Sequence, residues 1–142
     1  MNKRINFDNL KAGNDIPPLY KQMTQEMINR WADAVEDYNP LHVDLEYAKK
    51  TKFKSTIAPG PLVICYISEM MNDWLGIGWI EGGKLLNIKL IAPVKPGDKI
   101  SIRGRIKEKR VMKNEKIVEC DVFVQNQDGI KAVVGTAVGL VK

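Results

Sequence analysis

From Pro61 to Leu75 the chain carries Leu62, Val63, Ile64, Cys65, Tyr66, Ile67, Met70, Met71, Trp74 and Leu75, which puts apolar residues on nearly every face of a helix. Pro61 suits a first helical position and Gly76 closes the run. A helix that is apolar almost all round cannot lie on a surface, so something must wrap it.

The segments that follow supply the wrapper. Leu86, Ile88 and Leu90 alternate in a first strand, and Ile100, Ile102, Gly104 and Ile106 in a second, with Lys99, Ser101, Arg103 and Arg105 on its other face. Val118, Cys120, Val122 and Val124 alternate in a third. Ile130, Ala132, Val134, Thr136, Val138 and Leu140 do so in a fourth. Asn126-Gln127-Asp128-Gly129 reads as the turn before the fourth strand, and Pro96-Gly97-Asp98 opens the second. The expectation is an α+β chain in which an antiparallel β-sheet is wrapped around one long central α-helix. No linker, repeat or low-complexity stretch breaks residues 1–142, which read as a single domain.

Ahead of the apolar helix, Thr24 is a plausible N-cap for a helix whose apolar stripe is Met27, Ile28, Trp31, Ala34 and Val35. Pro40 should end that helix, because it disfavours helical geometry at Asn39. Asp44 looks like the cap of a second short helix, with Glu46 early and Lys49 and Lys50 late.

Between these two helices runs Asp37-Tyr38-Asn39-Pro40-Leu41-His42, a carboxylate and an imidazole on the two sides of one proline-stiffened turn. His42 is the only histidine, and imidazole is the side chain whose unperturbed pKa lies near neutral pH. Acid–base chemistry in this chain therefore points to this turn. A single histidine with no CxxC pair leaves no zinc pattern. Cys65 and Cys120 sit in apolar stretches and read as buried, unpaired thiols. The net charge is +5, but the 22 Lys and Arg are scattered. One dense run, Lys107 to Lys113, reads as a solvated hairpin connection, so nucleic acid is not the expected partner. The start has basic residues without an apolar run behind them, which gives no signal peptide or membrane anchor and makes the cytoplasm the expected compartment.

A backbone donor can be argued from the residues as well. Pro59 and Pro61 have no amide hydrogen, so among residues 59 to 62 only Gly60 and Leu62 can donate from the backbone, and Gly60, just before the apolar helix and without a side chain, is the candidate oxyanion-hole donor.

Asp37, Asn39, Pro40, Leu41, His42 and, six residues on, Ala48 match the pattern Asp-x-Asn-Pro-hydrophobic-His, five residues, small residue. Together with the wrapped helix, this resembles the MaoC-like (R)-specific enoyl-CoA hydratases of hot-dog fold, over the chain from about Leu19 onward. Two departures stand out. Glu36 occupies the position of a usual glycine, and Ile57-Ala58-Pro59-Gly60-Pro61 replaces the usual Ile-Ala-His-Gly-Met.

The resemblance implies that Asp37 and His42 together orient a water that adds across the double bond of a trans-2-enoyl-CoA, with Asn39 and Pro40 supporting the motif. It implies Gly60 at the family's glycine, no cofactor beyond the coenzyme A of the substrate, and no metal. Hot-dog domains pair into one continuous sheet, so a homodimer or a dimer of dimers is expected, which also covers an open sheet edge. Two rivals stay open. One is a hot-dog acyl-CoA thioesterase using Glu69, which lies one turn from Asp73 on the apolar helix; the other is a non-catalytic acyl-CoA-binding partner subunit.

Overall fold

The computed structural model describes residues 4–142. In chain order its elements are β1 (Leu19–Gln22), α1 (Gln25–Val35), α2 (Pro40–Val43), α3 (Leu45–Ala48), α4 (Gly60–Leu75), α5 (Ile77–Gly82), β2 (Lys84–Leu90), β3 (Lys99–Met112), β4 (Glu115–Gln125) and β5 (Lys131–Leu140). The strands form one antiparallel sheet in the order β1-β3-β4-β5-β2, and α4 packs against β3, β4 and β5. The expected α+β arrangement of sheet around helix is therefore present.

Leu62, Val63, Tyr66, Ile67, Met70, Met71 and Leu75 of α4 are buried, a broad face generated by 3.6-residue periodicity. Full burial of side chains such as Ile67, Met70 and Met71 contributes roughly 1.5–3 kcal/mol each. The wrapping is not complete, because Pro61, Cys65, Asn72 and Asp73 leave one edge of the helix open. Cys65 is thus exposed, contrary to the expectation from its apolar neighbours, while Cys120 is buried. Burial pushes the Cys120 thiol up to about 12, and neighbouring Asp121 and Glu119 add to the shift.

Ile100, Ile102, Gly104 and Ile106 of β3, and Val118, Cys120, Val122 and Val124 of β4, face the core as their alternation predicts. β5 does not follow. Its inward residues are Val133, Gly135, Ala137 and Gly139, paired with Val124, Val122, Cys120 and Val118, so the face read from the sequence is one residue out of phase. The reason is space. A Cβ at Gly139 would run into Leu75, and one at Gly135 into Ile88, so the sheet needs its smallest residues where the helix and β2 come close. The branched Val134, Thr136 and Val138 take the outer face.

In β2 the regular alternation is broken by a register shift between Leu86 and Lys89, where Asn87 has φ 54°. Leu85 and Ile88 turn inward, and Leu86 and Leu90 are left exposed. β1, α2 and α5 are elements the sequence reading did not contain. Trp79 of α5 is buried and donates its indole N–H to Ser68 Oγ at 2.8 Å, which ties α5 to α4.

The hairpin reading of Lys107 to Lys113 is corrected too. β3 runs through Met112, and only Lys113 and Asn114, both with positive φ, make the turn. The Asn126–Gly129 turn is as expected, with Gly129 at φ 74° and Asn126 Oδ1 accepting from the amides of Asp128 and Ile130. Among the described residues no helix is long and apolar enough to cross a membrane.

Candidate active site

Thr24 caps α1 as expected by accepting from the Met27 amide at 3.1 Å. The buried stripe of α1 is Ile28 and Ala32, flanked by half-buried Met27 and Trp31, whereas Ala34 and Val35 are exposed. Pro40 does not end the helix. Glu36 does, by turning left-handed at φ 55° while its amide donates to the Ala32 carbonyl. Pro40 instead starts α2 from its first position, with Asn39 as the cap whose Oδ1 accepts from the Leu41 amide at 3.0 Å. Asp37 Oδ1 accepts from the Asn39 amide at 3.3 Å. Asp44 caps α3 through the Tyr47 amide.

This local chemistry sets His42 in α2, half-buried, with Nδ1 2.8 Å from the Ile57 carbonyl oxygen. A carbonyl only accepts, so Nδ1 carries the proton and Nε2 is left as the acceptor of the neutral ring. A second tie comes from Gln25. Its Nε2 donates to the His42 carbonyl at 2.8 Å, and its Oε1 accepts from the hydroxyl of buried Thr56 at 2.6 Å. The Ile57 amide closes the set on the Leu41 carbonyl at 3.3 Å.

The Thr56–Ala58 segment leads directly into α4. Gly60 is its first helical residue, so its N–H has no acceptor within the helix, and the prolines on both sides have no N–H to compete. A Cβ at Gly60 would run into Cδ1 of Leu90. His42 and Gly60 open onto one cavity of about 330 Å³, whose wall also includes Ala58, Val63, Leu90 and Val133 and, near Lys52, Phe53. The wall is mainly apolar with a few polar groups, as small-molecule sites usually are.

Asp37 stands apart. It is exposed on the adjoining turn, and neither it nor Asn39 forms part of the cavity wall. Tyr38 beside it is held above the usual phenol range, chiefly by its hydrogen bond with Asp33. Glu69, the rival carboxylate, accepts an ion pair from Lys21 of β1 at 2.9 Å, and the same ammonium lies 5.1 Å from the centre of the Tyr66 ring. Asp73 is exposed, and neither carboxylate reaches the His42 cavity. Among the described residues no three His, Cys, Asp or Glu side chains cluster as metal ligands would.

Sequence reasoning missed Gln25 and Thr56, whose contact spans 31 residues of chain and has no spacing signature. It also missed the cavity wall from Leu90 to Val94.

Residues 13–127 match the family model of the MaoC like domain. The chain belongs to the MaoC-like family. This MaoC-like chain is 34% identical over 109 residues to the (R)-specific enoyl-CoA hydratase of Rhodospirillum rubrum, covering 73% of this chain and 74% of that protein. It is 32% identical over 121 residues to the (R)-specific enoyl-CoA hydratase of Aeromonas caviae, covering 84% and 87%. Among solved structures, an unliganded R-hydratase of Pseudomonas aeruginosa superposes with a TM-score of 0.80 at 27% identity, over 97% of this chain and 86% of that one. The MaoC-like chain therefore has the hot-dog fold that its residues led one to expect.

Proposed function

We propose that this chain is a hydro-lyase that hydrates trans-2-enoyl-CoA to (3R)-3-hydroxyacyl-CoA and catalyses the reverse dehydration. The observation that carries the reading is the pairing of the His42 imidazole with the Gly60 amide on one apolar cavity. The names of the similar hydratases agree with it.

In the proposed reaction the thioester carbonyl lies at the N-terminal end of α4, accepting from the Gly60 N–H. Nε2 of His42, left free by the Ile57 bond, and the Asp37 carboxylate hold a water between them. The water oxygen attacks C3 while Asp37 takes its proton. Electrons move onto the thioester oxygen, where the Gly60 amide and the positive end of α4 stabilise the enolate. The proton that Asp37 has taken is returned to C2 with the help of His42, which completes the addition of one water and regenerates the carboxylate. The thioester is the electron sink, so the step asks for no metal and no cofactor beyond the coenzyme A of the substrate.

The position of Asp37 outside the cavity wall requires its carboxylate to turn toward the bound water. The exposed edge of β2 and the open edge of α4 favour a homodimer, or a dimer of dimers, in which a second copy covers them. Glu69 lies outside the cavity that His42 and Gly60 share and is engaged by Lys21 at 2.9 Å, which speaks against the thioesterase reading.

The test is loss of the enoyl-thioester absorbance of crotonyl-CoA and of a longer trans-2-enoyl-CoA, with chiral analysis of the product. Wild type should form the (R)-hydroxy product, and Asp37→Asn and His42→Gln should each be slower by about 10²–10⁴-fold. Hydrolysis of the thioester without hydration, lost in Glu69→Gln and kept in Asp37→Asn, would overturn the proposal.

A further inference from the structure

Between α3 and α4 the chain reads Lys49-Lys50-Thr51-Lys52-Phe53-Lys54, four lysines in six positions. All four are exposed, and Lys49 is matched by Glu46 at 2.9 Å. Among the described residues, Lys50, Lys52 and Lys54 have no carboxylate at ion-pair distance. The run from Lys107 to Lys113, by contrast, is laced with acids, since Arg110 reaches both Glu108 and Glu119, and Lys107 reaches Glu119. Uncompensated like charges so close together repel one another, which makes the lysine loop the unusual case.

The loop is also held in a fixed shape. The Thr51 hydroxyl donates to the Ala48 carbonyl at 2.7 Å and accepts from the Phe53 amide at 3.3 Å. The Lys54 amide returns to the Thr51 carbonyl at 3.2 Å, with Lys54 in the left-handed region at φ 59°. From the β2–β3 connection, Lys95 Nζ donates to the Phe53 carbonyl at 2.9 Å. A backbone so fastened presents its cations in one place.

That place borders the candidate active site. Lys52 and Phe53 form part of the wall of the cavity that His42 and Gly60 share, with Lys52 Nζ 5.2 Å from the centre of the Phe53 ring. Resting on the reading of the substrate as an acyl-CoA, we infer that this lysine loop is the seat of the phosphates of coenzyme A. The acyl group and its thioester enter the apolar cavity, the thin uncharged pantetheine arm passes Phe53, and the pyrophosphate and 3′-phosphate meet the ammonium groups of Lys50, Lys52 and Lys54. Phosphate is the anion that flexible, strongly hydrated ammonium groups bind as point charges. The nearest acids in the chain, Asp44 and Glu46, are engaged at the cap of α3 and with Lys49.

The test uses a saturated thioester, so it requires no turnover. Binding of butyryl-CoA and of butyryl-pantetheine, which has no phosphate, is measured by calorimetry for wild type and for the Lys50→Gln, Lys52→Gln, Lys54→Gln triple variant. The triple variant should bind butyryl-CoA about 10-fold or more weakly at low ionic strength and butyryl-pantetheine within about twofold of wild type, and the wild-type preference for the CoA ester should shrink as salt rises. Since the three side chains are exposed, a melting curve for the variant checks that its fold is kept. Equal weakening of both thioesters, unchanged binding of butyryl-CoA, or no saturable binding of butyryl-CoA by wild type overturns the inference. Wild type that shows the expected binding pattern but leaves crotonyl-CoA unhydrated refutes the hydratase reading and leaves the phosphate seat standing.

Discussion

Replacing Glu36 with glycine should stabilise the protein, although it removes a side chain next to Asp37. Glu36 ends α1 at φ 55° and ψ 34°, a left-handed conformation that costs an L-residue with a Cβ about 1–2 kcal/mol. Its side chain is exposed, so little packing is lost. Glycine adopts the same angles freely but loses more backbone freedom on folding, which takes back roughly 0.5–1 kcal/mol. The net gain is about 0.5–1 kcal/mol, or a rise in Tm of about 2–3 °C for a chain of this size. Glu36→Gln separates the two explanations, since it deletes the charge next to Asp37 and keeps the strained backbone. Thermal melts and urea titrations of wild type, Glu36→Gly and Glu36→Gln provide the comparison. If Glu36→Gln gains as much as Glu36→Gly, charge repulsion and not backbone strain is the cost at this position. If Glu36→Gly gains nothing, the argument from the left-handed cap is wrong.

Thr56→Val should cost about 1 kcal/mol in a denaturant titration, through the lost hydroxyl bond to Gln25, and Thr56→Ser should restore most of it. Because Gln25 also holds the His42 carbonyl, the nitrogen spectrum of the only imidazole should change in Thr56→Val and not in Thr56→Ser; no change in either variant would remove Gln25 from the support of His42. The Cys120 thiol, buried and pushed up to about 12, holds only about one thiolate in ten thousand at pH 8, so it should resist a thiol reagent until the protein unfolds, as mass spectrometry of alkylated peptides would show. Glu119 lies below its ordinary value of 4.5, first through its hydrogen bond from Arg110 and against the effect of burial. A carboxylate with a lowered folded pKa adds stability above its unfolded pKa and loses it as pH falls through the folded value. Glu119→Gln should therefore be less stable than wild type at pH 7, and the gap should close below about pH 4 in acid titrations of the melting curve.

How legible the fold was depended on whether one parity of a segment alone was apolar. In β3 the outward positions carry Lys99, Arg103 and Arg105, so the inward face could be read without ambiguity. In β5 both parities are apolar or small, and the choice between them was made by how closely Leu75 and Ile88 approach Gly139 and Gly135, which no local pattern records. β1 has four residues, Leu19 to Gln22, too few for alternation to stand out, and the bulge at Asn87 defeats any period-two reading of β2. At the site, the turn from Asp37 to His42 was readable because its hydrogen bonds are local, as at Asn39 and Leu41. Gln25 with Thr56, and His42 with Ile57, are meetings across the fold.

The setting of Gly60 between two prolines also governs what side-chain replacement can reveal about it. Every substitution at this position, proline aside, keeps the main-chain hydrogen and adds a Cβ that meets Leu90, so a mutational scan would score steric tolerance and leave the hydrogen-bond donor unexamined. Only exchange of the peptide N–H for an ester oxygen, with glycolic acid in place of the glycine, deletes the donor while keeping the outline of the chain. The converse holds for Pro59 and Pro61: replacing either with alanine adds another N–H next to that of Gly60.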